Sequence, residues 1–320
     1  MHLFLNEYTL VGIGLLILLF AGDALVKGAV NLSLRLGVPA LIVSLTVVAF
    51  GTSAPELLIS VQSILDGEPG LAIGNVVGSN TANILLVLGI PALLAGLGAS
   101  QTDSRKSYIV MMAGSLLFIA LCYFGPITWW HGLILLAALA LALWDNFRDA
   151  RGHMKKDELE EELEGADPSL AGWKIAAFLV VGLIGLPLGA KLLVDNAIII
   201  ATEFGVSATV IGLTLVAIGT SLPELATTVM AAFRRETDVA IGNVIGSNMF
   251  NLLAIIGVAS LVGPMPVPDA FLTLDLWVML GASILIAPVV FHNLAMGKIW
   301  GISLTLAYIA YLYLVLKSGT

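Results

Sequence analysis

Two glutamates stand where ionised side chains are rare. Glu56 ends the stretch Ala-Phe-Gly-Thr-Ser-Ala-Pro-Glu at 49–56, and Glu224 ends Ala-Ile-Gly-Thr-Ser-Leu-Pro-Glu at 217–224. Both sit well inside apolar runs. A carboxylate within hydrocarbon is costly unless it faces a cavity, a cation or a partner. Two carboxylates brought together without a cation repel, and a bound divalent ion removes that conflict. Packing alone does not require buried acids.

The neighbouring residues supply further oxygen. Thr52 and Ser53 precede Pro55, and Thr220 and Ser221 precede Pro223. Each proline lacks a backbone N–H and so frees a carbonyl in the preceding turn. Downstream lie Ser79 and Asn83, then Ser247 and Asn251. Each pair is spaced i, i+4 and shares one helix face. Carboxylate, carbonyl, amide and hydroxyl oxygens, without His or Cys, suit a hard cation such as calcium or sodium. A packing role competes for each single Ser, Thr or Asn, because such side chains also bond between membrane helices. Gly74-x-x-x-Gly78 and Gly242-x-x-x-Gly246 are small-residue packing motifs in their own right.

These residues are duplicated at one offset. Residues 72–83 read Ala-Ile-Gly-Asn-Val-Val-Gly-Ser-Asn-Thr-Ala-Asn, and 240–251 read Ala-Ile-Gly-Asn-Val-Ile-Gly-Ser-Asn-Met-Phe-Asn. Like 56 and 224, the two blocks lie 168 residues apart, with no gap between them.

The elements that carry the repeat follow from composition. Of 320 residues, 59% are hydrophobic and 11% charged, against about 25% charged in soluble domains. Mean hydropathy is +1.02. The pattern predicts an all-α integral membrane protein with ten transmembrane helices. They fall near 8–33, 39–64, 70–97, 106–124, 127–147, 173–202, 207–232, 238–262, 273–291 and 297–316. The first run lacks the basic flank and cleavage site of a signal peptide and reads as a retained helix. Five helices per half turn the second copy upside down relative to the first. Inverted repeats with interrupted helices mark secondary transporters whose site lies between the repeats. The expected organisation is a first repeat at 1–147, an acidic cytoplasmic linker at 148–170 and a second repeat at 171–320.

Basic residues orient the chain. With both termini outside, Arg35, Arg105, Lys106, Arg148, Arg151, Lys155, Lys156, Arg234, Arg235 and Lys298 fall inside and only Lys317 outside, a strong positive-inside bias. Two further pairs, Asp23 with Lys27 and Lys191 with Asp195, are spaced to form i, i+4 bridges within their own helices, with signs exchanged between the repeats.

The duplicated Gly-Thr-Ser-x-Pro-Glu and Gly-Ser-Asn-x-x-Asn motifs resemble the alpha repeats of the cation/calcium exchanger (CaCA) superfamily, which includes prokaryotic sodium/calcium exchangers. The resemblance covers essentially the whole chain, with the alpha motifs at 49–89 and 217–257. It implies an antiporter that exchanges sodium for calcium by alternating access, working as a monomer in the inner (plasma) membrane. Calcium and sodium are its transported ions, and neither a cofactor nor a nucleic-acid partner is implied. Cation contacts are implied from the side chains of Glu56, Glu224, Ser53, Ser221, Ser79, Ser247, Asn83 and Asn251 and the carbonyls of Ala49, Ala217, Thr52 and Thr220. Calcium itself falls to Glu56, Glu224, Thr52 and Thr220. Potassium-dependent relatives carry Asp where this chain has Asn251, and proton-coupled relatives carry an acid in the block matching 74–78. Both departures favour sodium and disfavour potassium coupling. The alternatives are a proton/calcium antiporter using the same carboxylates, a channel, and a membrane enzyme built on Asp145-x-x-x-Asp149.

Overall fold

A computed structural model describes residues 6–152, 167, 169–205 and 217–318. The acidic stretch 157–164 and the segment 206–216 lie outside the described residues, and with them most of the expected linker and the start of the seventh span. Among the described residues the structure is helical. Seven helices are long and apolar enough to cross a membrane, or eight if one bent pair counts as a span.

In chain order, α1 is Glu7–Leu36. The bent pair follows as α2 (Ala40–Thr52) and α3 (Ala54–Leu65), set at 41° to each other. Then come α4 (Pro69–Leu94), α5 (Arg105–Tyr123) and α6 (Trp129–Gly152). The second half brings α7 (Gly172–Glu203), α8 (Ala217–Thr220) and α9 (Leu222–Phe233). It ends with α10 (Thr237–Val262), α11 (Phe271–His292) and α12 (Lys298–Ser318). Where the sequence predicts one helix over 39–64, the chain breaks at Ser53, with φ −84° and ψ 3°. Ser221 breaks the second copy with φ −86° and ψ 4°. Pro55 and Pro223 explain both breaks: without an N–H, each leaves the carbonyl four residues earlier unbonded.

The apolar core divides into two bodies. The larger is built mostly from α4, α5, α6, α10 and α11, and α4 and α10 are each 83% buried. The smaller joins α1 and α7 through Leu18, Ala21, Leu25 and Leu186, with Val43, Val48 and Ala226 alongside. Within α4 and α10 the ladder widens into π-helical turns at Asn83–Val87 and Asn251–Ile255. Each begins at the duplicated asparagine, a kind of local rewinding that is frequent at functional sites. The loops join in two short antiparallel bridges, Leu97 with Met296 and Ile127 with Met265.

Charged side chains brace the loops. Asp238, in the first turn of α10, accepts from the Ser100 hydroxyl and from the amides of Gln101 and Thr102, both at 3.0 Å. Lys106 reaches Asp145 at 2.7 Å. Asp145 is thus held in an ion pair between α5 and α6. The Lys191–Asp195 bridge forms at 2.9 Å as expected, but Asp23 does not turn to Lys27. It pairs with Arg234 of the α9 end at 2.5 Å, while the Lys27 ammonium lies 5.7 Å from the centre of the Phe178 ring. Tertiary packing brings a guanidinium close enough to displace the local partner.

Candidate functional site

The two breaks face each other across α4 and α10. Glu56 begins α3 and Glu224 begins α9, one turn past their breaks, and both are buried, at 1% and 0% exposure. The Ser53 hydroxyl donates to Glu224 Oε1 at 3.1 Å, so the first repeat reaches directly into the acid of the second. Thr52 and Ser53, Ser79 and Asn83, and Ser247 and Asn251 are buried with them, as is Ser221. Thr220 lines a cavity beside the site, and Ala217 opens the short helix that leads to the break. The Ala49 carbonyl already accepts from the Ser53 amide at 3.0 Å and from the Thr52 hydroxyl at 3.3 Å, leaving it less open to an ion than the resemblance implies.

Among the described residues, many polar atoms here are buried without a hydrogen-bond partner. They include both carboxylate oxygens of Glu56, Glu224 Oε2, and the hydroxyls of Ser79, Ser221 and Ser247. Asn80 Oδ1, Asn83 Oδ1 and both side-chain polar atoms of Asn251 add to them. Each such group costs about 1–3 kcal/mol when left unsatisfied, and more if charged. Their concentration on facing helices, almost all of them oxygen, fits a site for hard cations, which would supply the missing partner. Among the described residues no group of three or more His, Cys, Asp and Glu converges. Negative charge at the site therefore comes from two glutamates embedded in neutral oxygen.

Four asparagines escaped the sequence reading as site residues. Asn80 donates to the Asn248 carbonyl at 3.2 Å, and Asn248 donates back to the Asn80 carbonyl at 3.3 Å. This reciprocal pair joins residues 168 apart and marks the local two-fold axis. Asn83 donates to Asn248 Oδ1 at 3.0 Å. Behind the acids, Asn75 bonds the Glu56 carbonyl at 3.2 Å and the Ser60 hydroxyl at 3.0 Å. Asn243 does the same for the Glu224 carbonyl at 3.3 Å and the Thr228 hydroxyl at 3.1 Å. All four recur in register in both blocks, and that was the available signal. Amides that hold a glutamate's backbone fix where its carboxylate can go.

A cavity of about 370 Å³ approaches the site from one side. It is lined by Leu58 and Ile59 of α3, by Ala190, Lys191 and Asp195 of α7, and by Pro55, Thr220 and Pro223. Pro55 and Pro223 immediately precede the two acids.

Comparison with known proteins agrees with this geometry. The family model described as "Sodium/calcium exchanger protein" matches residues 7–147 and 174–317. The chain is 34% identical to the putative antiporter CaxA of Alkalimonas amylolytica, covering 96% of this chain and 97% of that one. It is 30% identical to the sodium/calcium exchanger MaX1 of Methanosarcina acetivorans, covering 96% and 97%. The sodium-calcium exchanger NCX_Mj, solved after soaking in sodium and calcium, superposes with a TM-score of 0.81 at 29% identity, covering 96% of this chain and 97% of that one. A match over nearly the whole length, to the family model and to relatives alike, identifies the chain as a member of the sodium/calcium exchanger family, a membrane-spanning cation/calcium antiporter.

Proposed function

We propose that this antiporter exchanges sodium for calcium at a single site between its two halves. Glu56 and Glu224 hold calcium there, together with oxygens of Thr52 and Thr220. Ser53, Ser79, Asn83, Ser221, Ser247 and Asn251, with the carbonyls of Ala49 and Ala217, complete the positions that sodium occupies. The observation that carries this reading is the pair of buried glutamates amid unpartnered oxygens. One calcium ion neutralises both carboxylates. Sodium must do so with monovalent charges, so at least two are needed, and the duplicated hydroxyls offer neutral positions for a third. Three sodium ions per calcium would move one net charge per cycle. With Asn83 and Asn251 both neutral, no third carboxylate is present to hold potassium.

The proposed architecture has ten spans in two inverted repeats, at 1–147 and 171–320, joined by a cytoplasmic linker at 148–170. The two loop bridges support it: Leu97 and Met296 both fall on the basic face under this threading, and Ile127 and Met265 both fall on the acidic one. The basic-residue bias places both termini outside an inner (plasma) membrane. Each chain completes its own site, so the working unit is a monomer.

The test is calcium uptake into proteoliposomes under imposed sodium, proton or potassium gradients at clamped voltage. Uptake should follow the sodium gradient, respond to voltage and need no potassium. Uptake driven by protons alone would assign the same carboxylates to proton exchange instead.

A further inference from the structure

The two-fold relation between the halves is kept in some places and broken in others, and the break involves charged residues in matched positions. Helices α1 and α7 keep it. A Cβ on Gly14 would meet the Leu193 amide at 2.8 Å and the Gly189 carbonyl at 2.9 Å. One on Gly182 would meet Leu25 Cβ at 2.5 Å and the Ala21 carbonyl at 3.0 Å. Gly14 and Gly182, Ala21 and Gly189, and Leu25 and Leu193 are three sets of counterparts 168 apart. The α1–α7 pair is therefore internally symmetric and packed backbone to backbone.

Its fit on the rest of the protein is not symmetric. On the basic face, α1 lies against α9, with Gly22 close to the Ala226 carbonyl and Ala226 only 7% exposed. On the acidic face, the counterparts Ala190 and Leu58 both line the cavity, and Leu58 is 71% exposed. Asp23 and Arg234 form their ion pair across the closed face, their side chains 29% and 28% exposed. The counterparts of Asp23 and Arg234 are Lys191 and Asp66, again 168 apart and with both charges reversed. They flank the open face and bond locally, Lys191 to Asp195 at 2.9 Å and Asp66 to Gln62 at 2.7 Å.

The turns that present Asp66 and Arg234 are alike. Asp66 has φ −79° and ψ −2°, Arg234 φ −87° and ψ 0°. The next residues, Gly67 and Arg235, are both left-handed, at φ 83° and 61°. The amides of Glu68 and Glu236 close both turns at 2.8 Å, on Ser63 and Ala231.

We propose that Asp66 and Lys191 are the second half of a reciprocal electrostatic latch: they pair across the acidic face when α7 closes onto α3, as Asp23 and Arg234 pair now across the basic face. The inference rests on the antiport reading above. Lys191 leaves Asp195 for Asp66 as Asp23 has left Lys27 for Arg234. Because α1 and α7 pack backbone to backbone as one body, only one latch can close at a time. Each pair stabilises one of the two end states, and the balance between them sets the rate of exchange.

Two cysteine pairs in a Cys122→Ala background test it: Asp23→Cys with Arg234→Cys, and Asp66→Cys with Lys191→Cys. Both are cross-linked by a short bis-thiol reagent in proteoliposomes and read by peptide mapping, with calcium as the only transported ion. Linking of the 66/191 pair should rise about tenfold when calcium replaces chelator, because exchange lets both end states be visited. Prior linking at 23/234 should suppress it. As a second measure, Lys191→Asp should slow calcium exchange about two- to fivefold, and adding Asp66→Lys should restore it. Links at both sites in one molecule, or no 66/191 link while calcium exchange proceeds, would overturn the latch. A failure of sodium to drive exchange would overturn only the ion assignment, since the cross-links are scored with calcium alone.

Discussion

Glu56 and Glu224 occupy equivalent places and have different surroundings. Their backbones are held alike, by Asn75 and Asn243 on the carbonyl of each. Their breaks at Ser53 and Ser221 agree within a few degrees. Yet Glu224 accepts from Ser53 at 3.1 Å, whereas among the described residues Glu56 has no partner on either oxygen and the Ser221 hydroxyl is unpartnered. Duplication therefore matches the backbone scaffold of the two halves but not their side-chain bonds: the cross-repeat bond from Ser53 to Glu224 is formed, and its counterpart from Ser221 to Glu56 is not.

The largest expected effect erases the charges being compared. Glu56→Gln and Glu224→Gln should each reduce calcium transport at least about 100-fold, equivalent to roughly 2.7 kcal/mol. The amide keeps the volume but leaves a divalent ion one charge short in a dry site. Neither variant should be unfolded. Without calcium, each removes one of two like charges and should melt no lower than the parent, while the calcium-dependent rise in melting temperature disappears in both. Calcium flux and melting curves with and without calcium check this. Normal flux in either variant would remove that residue from the site.

A finer effect probes the asymmetry itself. Ser53→Ala deletes a hydrogen bond to a carboxylate, worth about 1.5–3 kcal/mol when the acceptor is charged. Ser221→Ala deletes a hydroxyl with no partner. In calcium-free buffer, Ser53→Ala should lower stability by about 1–2 kcal/mol, whereas Ser221→Ala, which removes an unsatisfied buried hydroxyl, should raise it by about 1 kcal/mol. With calcium bound, both serines face an ion, and the two variants should weaken calcium binding to a similar degree. Calcium titration and denaturant melts of the two variants side by side decide it. Equal losses without calcium would mean that the halves are equivalent in solution.

Much of this was legible in the sequence, because repetition and burial leave marks in residue types. The acids, the prolines that break their helices and the seryl and asparaginyl oxygens recur at one offset. What the offset could not reveal was direction. Asn80 and Asn248 sit inside the quoted motif, but their cross-axis bonds depend on how α4 and α10 approach each other. The Asp23–Lys27 expectation failed for a related reason. An i, i+4 spacing reports only neighbours on the same helix, and Arg234 arrives from another one. The Asp238 clamp on the loop at 100–102 likewise joins segments far apart in sequence. The apolar helical runs were readable, yet the break at Ser53 splits one expected span into α2 and α3. Hydropathy averages over a window and does not register a single bridge-region residue.

The smallest expected effect acts on the two faces rather than on the acids. A Cβ on Gly22 would lie 3.0 Å from the Ala226 carbonyl oxygen and 3.3 Å from Met230 Cγ. The methionine can yield, but the backbone of α9 cannot do so cheaply. At the equivalent place in α7 the chain carries Ala190, so closure of the acidic face begins with the bulk that the basic face lacks. Gly22→Ala should therefore loosen the closed face, and Ala190→Gly should ease closure of the open one. Both shift the balance in one direction, by about 1 kcal/mol or roughly fivefold. Exchanging Gly and Ala also changes helix propensity, by up to about 1 kcal/mol. That term is present in both end states, because α1 and α7 stay helical throughout, and it cancels from their ratio. Thiol labelling reads the ratio directly in a Cys122→Ala background. Ala226→Cys, buried now, should label faster when Gly22→Ala is added. Leu58→Cys, exposed now, should label more slowly when Ala190→Gly is added. Unchanged labelling in both would mean that Cβ bulk on α1 and α7 does not set the resting state, leaving the charged residues of the two faces to do so.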